Sequence, residues 1–176
     1  NNQSFTNLYA SKIGSDDNLE APKRFDNKIN SKFHEATPVF TKDGNTMYFT
    51  RNNFLDGKRG KDSKSVTLLK MYKSTLVDGQ WANIAELPFN SDNYSVAHPA
   101  LSLDEKTLYF ASDMPGTLGQ SDLFKVTINE NGTYSTPENL GAKINTEGRE
   151  TFPTISAENE LYFASDGRPG LGGLDI

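Results

Sequence analysis

Val96 to Gly141 reads VAHPALSLDEKTLYFASDMPGTLGQSDLFKVTINENGTYSTPENLG. The same pattern occurs earlier as EATPVFTKDGNTMYFTRN from Glu35, and later as ETFPTISAENELYFASDGRPGLGGLDI from Glu150. Pro38, Pro99 and Pro153 stand at equivalent points, 61 and 54 residues apart. The aromatic pairs Tyr48-Phe49, Tyr109-Phe110 and Tyr162-Phe163 follow them. Self-similarity at this period is the mark of a repeat architecture, in which each unit buries its apolar face only against its neighbours.

One unit predicts four short strands. The first starts at Pro99, since proline is tolerated where a strand begins. Asp104-Glu105-Lys106 turns the chain, and the earlier copy has Asp43-Gly44-Asn45 there, a strong hairpin signal. Thr107 to Ala111 is rich in β-formers and reads as the second strand. Met114 to Gly119 is a Gly/Pro loop, and Asp122 to Ile128 alternates as the third strand. Asn129 to Gly132 turns again. Tyr134 to Pro137 leads into a short fourth strand, placed at an edge because proline cannot donate to a ladder. A four-stranded antiparallel meander of roughly 45–55 residues has the size of one blade of a β-propeller. The expected fold is therefore all-β, a partial β-propeller of four-stranded antiparallel blades.

Laid along the chain, residues 1–28 are the second half of a blade, 29–88 a blade with a long basic loop, 89–142 a complete blade and 143–176 the first half of another. Ile29-Asn30, Phe89-Asn90 and Ile144-Asn145 correspond, as do Trp81 and Tyr134. Closed propellers need about four blades or more, so the chain is expected to be a segment of a longer one.

The run P-x-[ILF]-S/T-x-D/E, then LYF-x-S-D, then PG-x-x-G-x-x-D-[IL] resembles the TolB-type, WD-like propeller repeat. LYFASDGRPGLGGLDI is similar to the form found in outer-membrane OmpA-family proteins of Bacteroidetes-type bacteria. The resemblance implies a periplasmic, outer-membrane-associated protein, with some members tethering type 9 secretion or gliding machinery to peptidoglycan. Peptidoglycan contact would lie outside these residues.

Composition narrows the classes further. The net charge of −5 argues against non-specific nucleic-acid binding. With no cysteine, disulfides, thiolate zinc sites and thiol nucleophiles are excluded. No apolar run reaches the length of a membrane-spanning helix.

Four aspartates frame the Gly loops: Asp113 and Asp166 after the second strand, Asp122 and Asp175 at the third. Carboxylates flanking a loop can ligate calcium, yet they equally accept the loop's backbone N–H groups. The first copy has Arg51-Asn52 and Lys70 in these places, so no ring of metal sites is expected. Gly170 to Asp175 lacks the third glycine and the following helix of a dinucleotide-binding loop. His34 and His98 occupy different repeat positions and read as loop or blade-packing residues. No nucleophile, base and orienter assemble, so no catalytic residue, cofactor or metal is assigned and the chain is read as no enzyme.

The one stretch that departs from the repeat is Arg51 to Lys70, with Lys58, Arg59, Lys61 and Lys64. These four are the candidate partner-binding residues, suited to an acidic protein surface or to lipid phosphate. The second-to-third-strand loops and the blade connectors share one face, which would carry this loop with His34-Glu35, Tyr94, Asp113 and Arg149-Glu150. The function expected is a protein-interaction scaffold. The alternative is a carbohydrate-binding or glycosidase-type propeller, which would need two carboxylates about 5–10 Å apart in a pocket.

Overall fold

Two four-stranded antiparallel meanders, side by side, dominate a computed structural model that describes residues 5–55, 58–60 and 66–176. The flanking partial sheet ahead of them is β1 (Tyr9–Ala10) paired with β2 (Lys23–Arg24). The first full blade comprises β3 (Glu35–Phe40), β4 (Thr46–Asn52), β7 (Leu69–Val77) and β8 (Gln80–Glu86), in that order. A small hairpin, β5 (Phe54–Leu55) with β6 (Lys58–Arg59), stands between β4 and β7. The second full blade comprises β9 (Val96–Leu101), β10 (Thr107–Ser112), β11 (Asp122–Thr127) and the short edge strand β12 (Glu138–Asn139). β13 (Glu150–Ile155) and β14 (Leu161–Ser165) form the last half-blade. There is no helix among the described residues. The chain is all-β, part of a β-propeller built from four-stranded antiparallel blades.

Alternation along the second strands puts neighbouring residues into different cores. Met47 and Phe49 of β4 pack with Tyr72, Ile29 and Trp81 towards the preceding half-blade. Tyr48, between them, joins Met71, Leu108, Phe110, Phe124 and Val126 on the other side. This period of two is that of a strand covered on both faces. Burying each such side chain is worth about 1.5–3 kcal/mol, and the aromatic ones interlock: Phe89 stacks on Phe110 at 4.9 Å, and Phe110 on Phe124 at 6.0 Å. Tyr48, Tyr109 and Tyr162 sit in equivalent second strands, β4, β10 and β14.

The prolines do not begin the first strands. Glu35, Val96 and Glu150 already pair, three residues earlier, and each proline lies beside a β-bulge inside its strand. The residue before it takes a positive φ in all three copies: Thr37 at 45°, His98 at 60° and Phe152 at 50°. The bulge takes proline out of the regular ladder, so its missing N–H is not needed there. A left-handed residue before proline costs on the order of 1–3 kcal/mol. The surroundings hold it in place: Thr50 Oγ1 lies 2.9 Å from Thr37 Oγ1 and accepts the His98 N–H at 2.8 Å. His98 Nδ1 in turn lies 2.6 Å from Thr151 Oγ1, and its ring stacks on Phe152 at 4.0 Å. The bulges thus fasten each blade to the next, and β3, β9 and β13 contact one another in series.

The corresponding asparagines form a second repeated clasp. Asn30 accepts the Leu8 N–H at 2.7 Å and donates to the Leu8 carbonyl at 2.9 Å. Asn90 does the same to Met71, at 3.0 and 2.7 Å, and Asn145 to Leu123, at 2.8 and 3.0 Å. A side-chain amide carries one acceptor and one donor group, as a backbone peptide does. Each connector therefore docks onto the third strand of the sheet it has just left.

Candidate functional site

On the face reached by the second-to-third-strand loops, the two full blades differ sharply. In the second blade, Asp122 begins β11 and is fully buried. Its carboxylate accepts the N–H groups of Leu118 at 2.8 Å and Gly119 at 3.3 Å, and the Asn139 amide at 2.7 Å. The loop packs tightly on the following connector: a Cβ at Gly119 would stand 2.4 Å from the Gly148 carbonyl oxygen. Asp113 accepts the Ser95 N–H at 2.6 Å. Asp166 accepts the Arg149 N–H and pairs with its guanidinium at 2.7 Å, bonds that hold its carboxyl below the usual carboxylate range. Asp175 accepts the Gly172 N–H at 3.3 Å. These are loop-capping roles, and no group of three or more potential metal ligands occurs among the described residues.

In the first blade, Lys70 occupies the Asp122 position. It pairs with Glu86 at 3.0 Å and Asp92 at 2.9 Å. Burial opposes its charge, but bonds to Asp92 and Glu86 outweigh that and hold the ammonium above its ordinary value. Asn53 donates to Asp92 at 2.7 Å, Leu68 accepts the Asn53 N–H at 2.8 Å, and the Asn53 carbonyl accepts the Gly60 N–H at 2.9 Å. Phe54 donates its N–H to the Tyr72 hydroxyl at 3.3 Å and packs its ring 4.6 Å from Phe33. Burial, with Glu86 adding to it, pushes the Tyr72 phenol well above its ordinary value. Beneath lies the buried pair Glu35–Arg51 at 3.1 Å. Arg51 also donates to the Ile29 carbonyl at 2.5 Å and faces the rings of Phe49 and Tyr72 at 5.0 and 5.2 Å. Burial lowers the guanidinium's affinity for its proton, which Glu35 partly restores.

The predicted loop from Arg51 to Lys70 is therefore strand at both ends with a hairpin between. Lys58 and Arg59 pair with Leu55 and Phe54 across it. Lys61 and Lys64 lie outside the described residues. His34 is a connector residue, its Nδ1 accepting the Thr6 N–H at 3.2 Å and its N–H bonding Asn52 at 3.1 Å. His98 is the blade-packing residue described above, and burial depresses its pKa to about 4.

Composition and spacing did not signal the cleft between the blades. It measures about 210 Å3, and its wall includes Ser95, Ala97, His98, Ala111, Asp113 and Gln120. Asp113 is the one carboxylate among its described lining residues, so the pair needed for glycoside hydrolysis is not assembled there.

No protein-family model matches the sequence, and no curated protein matches it by sequence. Solved structures do resemble it in shape. A puromycin-hydrolysing peptidase of Mycobacterium tuberculosis superposes with a TM-score of 0.54 at 15% identity, over 87% of this chain and 21% of that one. A thermostable family-43 glycoside hydrolase gives 0.50 at 10% identity, over 89% and 60%. TolB from Acinetobacter baumannii gives 0.49 at 18% identity, over 91% and 32%. The chain spans about a fifth of the peptidase and three-fifths of the glycoside hydrolase. At these identities the likeness is one of fold alone.

Proposed function

We propose that this propeller segment is a non-enzymatic docking module that binds a partner protein through its loop face. The observation that carries the reading is the fastening of the Arg51–Lys70 excursion. It is the one departure from the repeat, and its base is held by Lys70, Glu86, Asp92, Asn53 and Tyr72. A fastened base under a long excursion suits recognition, because less order has to be gained on binding. Several charged groups described on this face serve loop support: Arg51 with Glu35, Arg149 with Asp166, Asp122 with loop amides.

Lys58, Arg59, Lys61 and Lys64 are the contact residues of this reading, suited to an acidic surface. The setting we assign is the periplasm, in an outer-membrane-associated assembly of the type 9 secretion or gliding kind, or its tether to peptidoglycan. The support is the resemblance of LYFASDGRPGLGGLDI to that family's repeat. Capture of the complete protein from solubilised outer membranes should recover a defined partner, and K58E/R59E/K61E/K64E should reduce its recovery at least tenfold. Turnover of a glycan panel without any stable partner would overturn the reading.

A further inference from the structure

The inter-blade cleft has a small residue, Ala111, in its wall. Thr50 of β4 bonds the bulge of the next blade through its hydroxyl, and Ala111 stands at the equivalent place in β10. Ala97 and Ala111, both buried, give the cleft an apolar part of its lining. The wall above is polar, and much of it is already engaged. Ser95 Oγ accepts the Leu69 N–H at 3.2 Å, Ser112 Oγ donates to the Ser95 carbonyl at 2.7 Å, and Ser121 Oγ donates to the Glu150 carbonyl at 3.2 Å. Asp113 binds Ser95 through Oδ1; its Oδ2 and the exposed Gln120 amide make no hydrogen bond to a described residue.

Charge and size select the ligand. No ion pair joins Asp113 to a cation among the described residues. Two described cations whose backbone borders the cleft are bound elsewhere: Lys70, beside Leu69, to Glu86 and Asp92, and Arg149, bridged to Ser121, to Asp166. At neutral pH the imidazole of His98 is uncharged, since burial depresses its pKa to about 4, and it does not repel a cation. The volume of about 210 Å3 is below the roughly 300–1,000 Å3 of sites that enclose a whole small molecule. The described wall has no phenyl, phenol or indole ring for a sugar to stack on. We propose that this cleft receives one lysine or arginine side chain of a partner polypeptide, its charged end meeting Asp113 and its stem lying on Ala97 and Ala111.

The test is a 15N-HSQC titration of the complete protein with three capped tripeptides: Gly-Lys-Gly, Gly-Arg-Gly and the uncharged Gly-norleucine-Gly. The basic peptides should shift the amides of Ser95, Asp113, Gln120 and Ser121 and saturate, and norleucine should leave them unmoved. Asp113→Asn keeps an acceptor for the Ser95 N–H and should weaken binding at least tenfold. Gln120→Trp fills the mouth from an exposed position and should abolish it. K58E/R59E/K61E/K64E should leave these shifts unchanged, so failure of the cleft and failure of docking through the excursion are told apart. Equal affinity in Asp113→Asn, equal binding of norleucine, or shifts spread over Asp78 and Asp104 would each overturn the assignment.

Discussion

The blades at 29–88 and 89–142 share a framework and differ in how they hold the loop above it. Both have the bulge before proline, and in both an asparagine clasps the third strand: Asn90 on Met71, Asn145 on Leu123. At the next position the chemistry inverts. Asp122 meets Asn139 and two loop amides, whereas Lys70 meets Glu86 and Asp92. A tight Pro-Gly loop offers N–H groups, which an aspartate accepts; under the longer excursion a cation bound to side chains stands in that place. The first strands differ in the same way. Val96 and Ser112 stand where Glu35 and Arg51 form a buried pair. The last half-blade has Glu150 there, with Thr146 and Ser165 donating to it. Both oxygens of Glu150 are bonded, but Glu35 Oε2 has no partner among the described residues. The backbone frame of a blade is thus fixed, and its polar supports are exchangeable sets.

The largest expected effect comes from breaking one such set. Arg51→Ser leaves Glu35 buried without its cation and should cost about 3–5 kcal/mol in chemical denaturation. The double variant E35V/R51S imports the pair found in the other blade and should recover most of that loss. Failure to recover would mean that the sets are not interchangeable.

Next in size is the shared clasp. Asn90→Ala and Asn145→Ala each leave a third-strand N–H without its partner, while the carbonyl keeps the N–H of Leu87 or Leu140, at about 1–3 kcal/mol. The two should cost the same within experimental error, and a large inequality would show that the frames differ as well.

The smallest effect sharpens the comparison at the bulge, where the first blade has Thr37 and the second His98. The folded His98 pKa, about 4, lies below the ordinary 6.5. Between these values the unfolded chain binds the extra proton, so stability is full above pH 6.5 and falls as pH drops towards 4. The loss is nil at neutral pH and on the order of 3 kcal/mol by pH 4. In His98→Thr this part of the pH dependence should vanish from the denaturation midpoints.

Much of the frame was legible. Proline spacing and the Tyr-Phe pairs placed the second strands, and the Asp43-Gly44-Asn45 turn appears with Gly44 at φ 69°. Pro137 predicted the edge position that β12 occupies. Less could be read of the first strands, because a proline looks the same at a strand's start as beside a bulge within it. The correspondence of Asn30, Asn90 and Asn145 was visible, but its meaning was not: the partners are backbone groups 19 or 22 residues away. The sequence shows Arg51 and Lys70 only as the residues that replace the loop aspartates in the first copy; that both are buried against carboxylates was not visible in it.

The sequence by itself determined the repeat, the strand order within a blade and the alternation that sends Tyr48 to one core and Phe49 to the other, because these follow from local periodicity. Only the tertiary structure decided that His98 bridges Thr50 and Thr151, that Ala111 and Asp113 line one cleft, and that charged residues became supports. Those outcomes depend on which surfaces meet when blades stack, and a chain read one residue after another contains no distance between groups brought together by packing.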